Sequence, residues 1–272
     1  HCSIGMMTCL LTGLAIGPSL QLNISRHRFA ASKKYSYAPA NRKRITPSIG
    51  LLVWRPTYNR DRFIRDLGPI EDLQMGSWLS LRWGFAHTAL GSDRTFSFYQ
   101  AQLSPRFKPT RRSYALLTFF ASTRIDQRGY NNLYALASIA IYSRLGATHS
   151  LAFRLSWEAL HRSEDASQLL LGLERGLRGF APRRFDGTRR LSFNIEGRPT
   201  LIRNPWYTLA GSAFVDCGTA WTPGANSPRL EFSPGIGLRF GFPKVYNTPV
   251  FRGDIAYGAG SLQLSVGMGQ YF

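Results

Sequence analysis

The twelve residues Ser261-Leu-Gln-Leu-Ser-Val-Gly-Met-Gly-Gln-Tyr-Phe272 end the sequence in a period-2 pattern. Successive side chains of a β-strand point to opposite faces, so one face of this segment is apolar and the other is small or polar. The apolar face consists of Leu262, Leu264, Val266, Met268 and Phe272, and the other of Gln263, Ser265, Gly267 and Gly269. We therefore expect a terminal strand whose apolar face extends to the last residue.

The same alternation recurs along the whole sequence, with turn signals between the segments. The clearest segments are 150–158, 190–198, 207–217, 229–240 and 250–258, and less regular ones lie near 3–16, 18–29, 47–57, 77–89, 95–106, 114–124 and 133–144. Only 63–73 has an ambiguous pattern, and no stretch predicts a long helix. The sequence therefore predicts an all-β protein with roughly twelve to fourteen strands of ~10 residues each.

Two architectures fit this pattern: a soluble β-sandwich and a transmembrane antiparallel β-barrel. Charged residues in mid-strand, such as Arg154, favour the barrel because they are costly in a sandwich core and normal in a wet lumen. Aromatic residues near strand ends are typical of the girdles of outer-membrane barrels. These are Trp157, Trp206, Tyr207, Tyr257 and Phe272. We expect one transmembrane barrel over residues 1–272.

The chain is strongly basic, with a formal net charge of +19, and only five of its 34 basic residues are lysines. Such a charge first suggests nucleic-acid binding. However, no basic run lies on a predicted helix and no nucleic-acid-binding motif is present, so we expect no nucleic-acid partner. The arginines recur at alternate positions inside strands, which suits a polar lumen or contact with anionic lipopolysaccharide.

The sequence contains no pattern for enzymatic chemistry. None of its histidines has a Ser or Cys partner in a nucleophile motif, and no phosphate-binding glycine loop precedes a helix. The three cysteines, Cys2, Cys9 and Cys217, are odd in number and lack a metal-ligand spacing. We predict a protein that is not an enzyme and needs no metal or cofactor.

Three short motifs stand in order in the last part of the sequence. The first, Leu177-Arg-Gly-Phe180, lies in a Gly- and Arg-rich segment, 172–188, that fits no strand. The second is Ser192-Phe-Asn-Ile-Glu-Gly-Arg198 and the third is Phe214-Val-Asp-Cys-Gly218. We expect segment 172–188 to be a loop.

Alternation places Glu196 and Asp216 on the same face of neighbouring strands. One guanidinium, that of Arg178, could reach both carboxylates from the loop, with the bidentate geometry that only arginine offers. Gly179 would allow the loop backbone to turn and to approach the wall closely. The residues therefore predict a structural ion network and no catalysis.

This set of motifs resembles the BamA/TamA/two-partner-secretion transporter superfamily, the bacterial surface antigen family of outer-membrane barrels. The family carries a Val-Arg-Gly-Phe/Tyr motif at the tip of extracellular loop six and a Phe/Gly-x-Asp-x-Gly motif on the thirteenth strand. The resemblance is strong from about residue 169 to 272, with Leu177 in place of the family's Val. It implies that the loop is locked inside the barrel by a network of Arg178, Gly179, Phe180, Glu196, Asp216 and Gly218.

The family's terminal-strand signal is matched at Ser265, Gly267 and Phe272. Gln270 departs from it, since an aromatic or large apolar residue is usual at that position. In the family, this strand forms one side of a weakly paired seam with the first strand, which can template an incoming β-strand by edge addition.

The resemblance implies an assembly or secretion transporter that inserts or translocates proteins in the outer membrane of a Gram-negative bacterium. Its partners would be outer-membrane lipid including lipopolysaccharide, unfolded or secreted client β-proteins, and accessory assembly proteins. The alternative is a passive channel, or the membrane anchor of a fused patatin-like lipase. Family members have sixteen strands preceded by periplasmic POTRA domains. We therefore expect that the first one or two strands and the POTRA domains are absent here, with a gap or strained closure near residues 1–16.

Overall fold

The computed structural model describes residues 2–4, 9–11, 13–29, 41–163, 167–225, 227–244 and 250–272. These residues form β-strands and one short 3-10 helix, Thr88–Leu90. The strands are β1 Cys2–Ile4, β2 Cys9–Leu11, β3 Leu14–His27, β4 Arg42–Trp54, β5 Tyr58–Asp61, β6 Glu71–Gln74, β7 Trp78–Ala86, β8 Phe96–Ser104, β9 Arg106–Thr110, β10 Ser113–Asp126, β11 Gly129–Leu145, β12 His149–His161, β13 Leu169–Leu171, β14 Phe185–Gly187, β15 Arg189–Arg198, β16 Thr200–Arg203, β17 Thr208–Trp221, β18 Glu231–Gly241, β19 Phe251–Gly258 and β20 Ser261–Met268. Within the described ranges, no helix has the length and hydropathy required to span a bilayer.

One large antiparallel sheet organises the protein. Its hydrogen-bonded neighbours follow in the order β1, β3, β4, β7, β8, β10, β11, β12, β15, β17, β18, β19 and β20. Three short strands extend it: β2 pairs with β3, β9 with β10, and β16 with β17. Two separate hairpins, β5–β6 and β13–β14, complete the structure. The predicted all-β architecture is confirmed.

The alternating segments of the sequence coincide with the strands. Apart from 3–16, part of which lies outside the described residues, the predicted bounds differ from the observed ones by no more than five residues. The ambiguous segment 63–73 forms no helix; it contains a bend region and most of β6. Its hydrogen-bonding is local, since the Glu71 carboxylate accepts from the backbone N–H groups of Ile64 and Arg65.

The two faces of the sheet differ in exposure. In β15 every second residue from Arg190 to Arg198 is buried, and in β17 every second residue from Thr208 to Asp216 is buried. We call the face that carries these residues the covered face, because other parts of the chain pack on it. The opposite side, the open face, exposes apolar side chains, with Val266 at 81% and Leu262 at 71% of full exposure.

Three parts of the chain pack on the covered face. The first is the in-folded loop, residues 172–184, between β13 and β14; it is shorter than the predicted 172–188 because Phe185–Gly187 pairs with Leu169–Leu171 as a strand. The second is the long connection, residues 55–77, between β4 and β7, which includes the β5–β6 hairpin. The third is the terminal tail, residues 269–272, after β20. The in-folded loop and the long connection reach the covered face from opposite ends of the sheet, as the antiparallel registers require.

The terminal tail corrects one prediction. β20 ends at Met268, and Gly269 then adopts a left-handed conformation with φ +77°. Such a conformation interrupts the extended backbone that carries the alternation. Phe272 consequently packs with the buried residues of the covered face, including Tyr142 and Ala152, and not beside Val266 on the open face. The predicted apolar face of the last strand is right up to Met268 and wrong for Phe272.

The large sheet begins at β1 and ends at β20. Among the described residues, no backbone ladder joins β20 to β1, β2 or β3. The predicted gap or strained closure near residues 1–16 falls partly on residues 5–8 and 12, which lie outside the described residues. It therefore stays a prediction.

Candidate functional site: an arginine-carboxylate network under the in-folded loop

The in-folded loop is fixed to the sheet by a small apolar cluster. Leu171, Leu177 and Phe180 are buried together, and the ring of Phe185 meets that of Phe180 edge-on at 5.2 Å. An edge-to-face arrangement is the favoured one for an aromatic pair. This cluster places Arg178, between Leu177 and Phe180, directly over β15 and β17.

Arg178 binds two carboxylates at once. Its Nε lies 2.8 Å from Asp216 Oδ2 and its Nη2 lies 2.9 Å from Asp216 Oδ1, which makes a bidentate fork. Its Nη1 lies 2.6 Å from Glu196 Oε2. The backbone N–H of Arg178 also donates to Asp216 Oδ2, at 3.1 Å. All three side chains are fully buried, so the structure brings together the pair of acids and the arginine that the motifs singled out.

The network extends to two further strands. Arg239 on β18 contacts Glu196 Oε1 at 3.0 Å and Asp254 Oδ1 at 2.6 Å. Arg198 contacts the same Glu196 oxygen at 2.9 Å, and Arg252 contacts Asp254 Oδ2 at 3.1 Å. Four guanidinium groups thus share three carboxylates. Each buried carboxylate is paired, which is the condition under which buried charges are tolerated.

Two aromatic rings enclose the Arg178 guanidinium. Its Cζ lies 3.3 Å from the ring centre of Phe214 and 4.3 Å from that of Tyr271. Cation–π attraction is strongest where the cation is desolvated. Burial alone would lower the pKa of the Arg178 guanidinium, but the hydrogen bonds and charges of Asp216 and Glu196 outweigh it and raise the pKa. Arg178 therefore stays charged.

Neutral groups complete the attachment. Asn194 Nδ2 donates to Asp216 Oδ1 at 2.8 Å and to the carbonyl oxygen of Gly176 at 2.9 Å. The Tyr271 hydroxyl accepts from the backbone N–H of Gly176 at 2.8 Å and donates to the carbonyl oxygen of Leu173 at 2.8 Å. The terminal tail thus holds the in-folded loop through two hydrogen bonds of one tyrosine hydroxyl.

Glycines allow the loop to approach the sheet. A Cβ on Gly179 would lie 2.6 Å from Ser233 Oγ and 2.6 Å from the carbonyl oxygen of Tyr257. A Cβ on Gly258 would lie 2.5 Å from the carbonyl oxygen of Gly179. On β17, a Cβ on Gly218 would lie 2.9 Å from the carbonyl oxygen of Leu191 and 3.2 Å from Leu171 Cδ2. Close backbone approach therefore requires glycine at Gly179, as the sequence predicted.

We predict that Gly179→Ala loosens the in-folded loop. The added methyl has backbone on one side and can gain space only if the loop moves, so we expect a loss of about 1–3 kcal/mol of stability. The measurement is thermal unfolding together with limited proteolysis of residues 172–184. Gly253→Ala on β19 is the matched control, because a Cβ added at Gly253 would have nothing within 4 Å. Equal behaviour of the two variants would contradict the tight approach at Gly179.

The predicted residues fall into two groups. Arg178, Gly179, Phe180, Glu196, Asp216 and Gly218 lie together under or within the in-folded loop. Ser265 and Gly267 lie on β20, where Gly267 faces the guanidinium of Arg252. Phe272 lies near Arg198, whose Cζ is 5.7 Å from its ring centre. Gly267 and Phe272 therefore lie at the edge of the network.

Several members of the network were not predicted as site residues, among them Asp254, Arg239, Arg252 and Tyr271. Alternation alone places Asp254 and Arg239 on the polar faces of their strands. Their opposite charges at these positions are the sequence feature that could have identified them as members of the network. Tyr271 carried no signal, because its position depends on the turn at Gly269.

The arrangement suits attachment of the in-folded loop to the sheet. Its carboxylates are occupied by guanidinium groups, and Arg178 is shielded by rings and backbone. Throughout the described part of the chain, no three His, Cys, Asp or Glu side chains are grouped so as to hold a metal ion. No family model matches the sequence, and no curated protein matches it significantly.

Proposed function

We propose that this chain is the barrel of an outer-membrane assembly or secretion transporter. The single observation that carries the proposal is the buried contact of Arg178 with both Asp216 and Glu196. This contact joins the motifs on which the resemblance to the BamA/TamA/two-partner-secretion transporter superfamily rests. A loop attached inside the barrel by such a network is what that resemblance implies.

The open face supports a membrane location. On neighbouring strands β18 to β20 it exposes Phe232 and Ile236, Ile255 and Tyr257, and Leu264 and Val266. A contiguous apolar surface of this kind is unfavourable in water and is normal for a barrel in lipid. The covered face, by contrast, carries the charged network, as a polar lumen would.

The connections support an orientation. At the end of the sheet where β10 and β17 begin, the turns 111–112, 146–148 and 204–207 are short. The other end has two-residue turns at 127–128 and 259–260, but its remaining connections are longer: 28–41, 87–95, 162–188 and 222–230. Outer-membrane barrels have short periplasmic turns and longer extracellular loops. We therefore assign the in-folded loop to the extracellular side.

Membrane insertion is tested with single-cysteine variants in a Cys-free background. Val266→Cys on the open face and Ser265→Cys on the covered face each carry a bimane label, and the host liposomes contain brominated lipid. We expect strong quenching at residue 266 and weak quenching at its neighbour 265. Equal quenching, or a protein that stays in the soluble fraction, would contradict the proposed barrel.

Transport is tested separately. Proteoliposomes containing the chain receive an unfolded outer-membrane β-barrel as client, and its folding is followed by protease resistance and by its shift on semi-native gels. An increase in the folding rate over protein-free liposomes supports an assembly function. A barrel that inserts but leaves the client rate unchanged, and that conducts ions steadily, would favour the passive channel.

A further inference from the structure

The long connection, residues 55–77, is much longer than the other connections at its end of the sheet. It contains 23 residues (55 through 77), whereas at the same end of the sheet the turns 111–112, 146–148 and 204–207 have two to four residues and the connection 242–250 has nine. It forms the β5–β6 hairpin and a bend region in place of an extended loop. The length and regular structure of this segment, at an end of the sheet that also has several short turns, call for a functional explanation.

Its first attachment is to β10 and β11. The Asp61 carboxylate accepts a hydrogen bond of 2.7 Å from the Tyr114 hydroxyl and pairs with Arg144 at 3.1 Å. Hydrogen bonds to a charged partner are shorter and stronger than those between neutral groups. The Asp61 side chain is largely covered, so both contacts are protected from solvent.

An apolar cluster strengthens this attachment. Ile64, Leu73 and Met75 of the long connection are buried together with Tyr114, Tyr142 and Ala152 of the sheet. Phe272 of the terminal tail packs against the same cluster. The long connection therefore shares a core with both the sheet and the tail.

Its second attachment is to β17, β18 and the start of β19. Leu67 is buried with Ala210 and Val250. A Cβ on Gly241 would lie 3.2 Å from the Leu67 Cβ. Gly68 lies beside Pro243 and the Thr208 hydroxyl. One short stretch thus contacts strands at two separate places in the sheet order.

The distance between β10 and β18 in the sheet determines what these contacts imply about the shape of the sheet. From β10 to β18 the sheet order makes five steps, through β11, β12, β15 and β17. Strands in a sheet lie ~4.8 Å apart, so a flat sheet would separate β10 and β18 by about 24 Å. Glu71 holds the bend compact by accepting from the N–H groups of Ile64 and Arg65. A compact bend that contacts both places implies a sheet that curves around it.

Further hydrogen bonds hold the long connection in place. Met75 N–H donates to the carbonyl oxygen of Thr57 at 2.7 Å, and Arg106 Nη1 donates to that of Gln74 at 2.9 Å. Phe63 and Gly68 adopt left-handed backbone conformations, with φ +58° and +110°. Glycine adopts such a conformation freely, but for the bulky Phe63 it persists only where the surroundings enforce it. The segment is therefore held in one arrangement.

We infer that residues 55–77 are a plug that closes the proposed barrel at its periplasmic end and makes the resting protein impermeable to ions and small solutes. This inference rests on the proposed membrane barrel. It deepens that proposal, because a plugged barrel is unsuited to passive diffusion. Asp61 and Leu67 are the two attachments that must release for the plug to move.

Planar-bilayer recording of the full chain tests the plug. We expect the wild type to insert and to show rare, brief openings. The double variant Asp61→Asn/Leu67→Ala retains the whole chain but weakens both attachments, and we expect its open probability to rise about tenfold or more. A variant in which residues 57–75 are replaced by a Gly-Ser linker should conduct steadily.

Asp72→Asn is the matched control, because Asp72 lies in the same hairpin and pairs with Arg60 in an exposed contact. It should behave as the wild type. Bimane quenching at residue 266 reports insertion independently of conductance. Insertion with a steady wild-type current, or with no current from any variant, overturns the plug and leaves the membrane barrel intact. Failure of quenching overturns the barrel, and the plug with it.

Discussion

Arg178→Ala is expected to release the in-folded loop and to destabilise the protein by about 3–5 kcal/mol. The substitution removes the cation but leaves Asp216 and Glu196 buried. Removing one partner of a buried ion pair is costly because the remaining charge loses its compensation and stays desolvated. Arg198 and Arg239 still contact Glu196, so the uncompensated charge falls chiefly on Asp216.

Two measurements check the Arg178→Ala prediction. Thermal unfolding on semi-native gels reports stability, and limited proteolysis reports access to residues 172–188. Arg229→Ala is the matched control, because Arg229 pairs with Glu231 while 88% exposed, and exposed pairs contribute little. Arg178→Lys retains charge without the bidentate fork and should give an intermediate result.

The pairing itself has a separate test. If protease access were unchanged in Arg178→Ala while Asp216→Ala had a strong effect, the contact between the two would not be what attaches the loop. A double-mutant cycle quantifies the contact: Arg178→Ala and Asp216→Ala together should cost clearly less than the sum of the single losses, since neighbours in one network are not additive.

Glu196→Gln is expected to have the second large effect, again about 3–5 kcal/mol. Glu196 lies at the centre of the network, with Arg178, Arg198 and Arg239 all within 3.0 Å of its oxygens. Glutamine preserves the shape but removes the charge that three guanidinium groups share, and it places an NH2 donor against donors. The mutual repulsion of the three guanidinium groups is then opposed by the carboxylates of Asp216 and Asp254 alone.

The Glu196 prediction is measured by unfolding at two salt concentrations. Because the contacts are fully buried, salt should restore little of the lost stability, since screening acts mainly on exposed charges. Glu231→Gln, at the exposed pair with Arg229, is the control and should change stability by less than about 1 kcal/mol. A Glu196→Gln variant as stable as the control would show that the network adds nothing to the fold.

Strand positions were predictable because their cause is local. Burying one face of a sheet demands alternation at a period of two, and the segments 190–198 and 207–217 carry that pattern plainly. The placement of Glu196 and Asp216 on the same face of the sheet followed from this alternation. The arginine was predictable only because its motif resembles a known one, since spacing does not tell which loop folds inward.

The remainder of the site depended on long-range contacts. Asp254 and Arg239 meet because β18 and β19 pair in one register, which two polar positions in a sequence do not specify. Residues 55–77 have no alternating pattern, because they pack through a bend and a short hairpin. The contacts of Ile64 and Leu67 join strands far apart in the chain.

The sequence by itself determined an antiparallel all-β chain, the faces of its strands and the acids that share a face with each other, because side-chain alternation is a property of each strand alone. Only the tertiary structure decided where the last residue lies. A single left-handed glycine, Gly269, turns Tyr271 and Phe272 onto the covered face. The stability of that turn comes from the partners it meets, Leu173, Gly176 and the core around Tyr142, and none of these is near it in sequence.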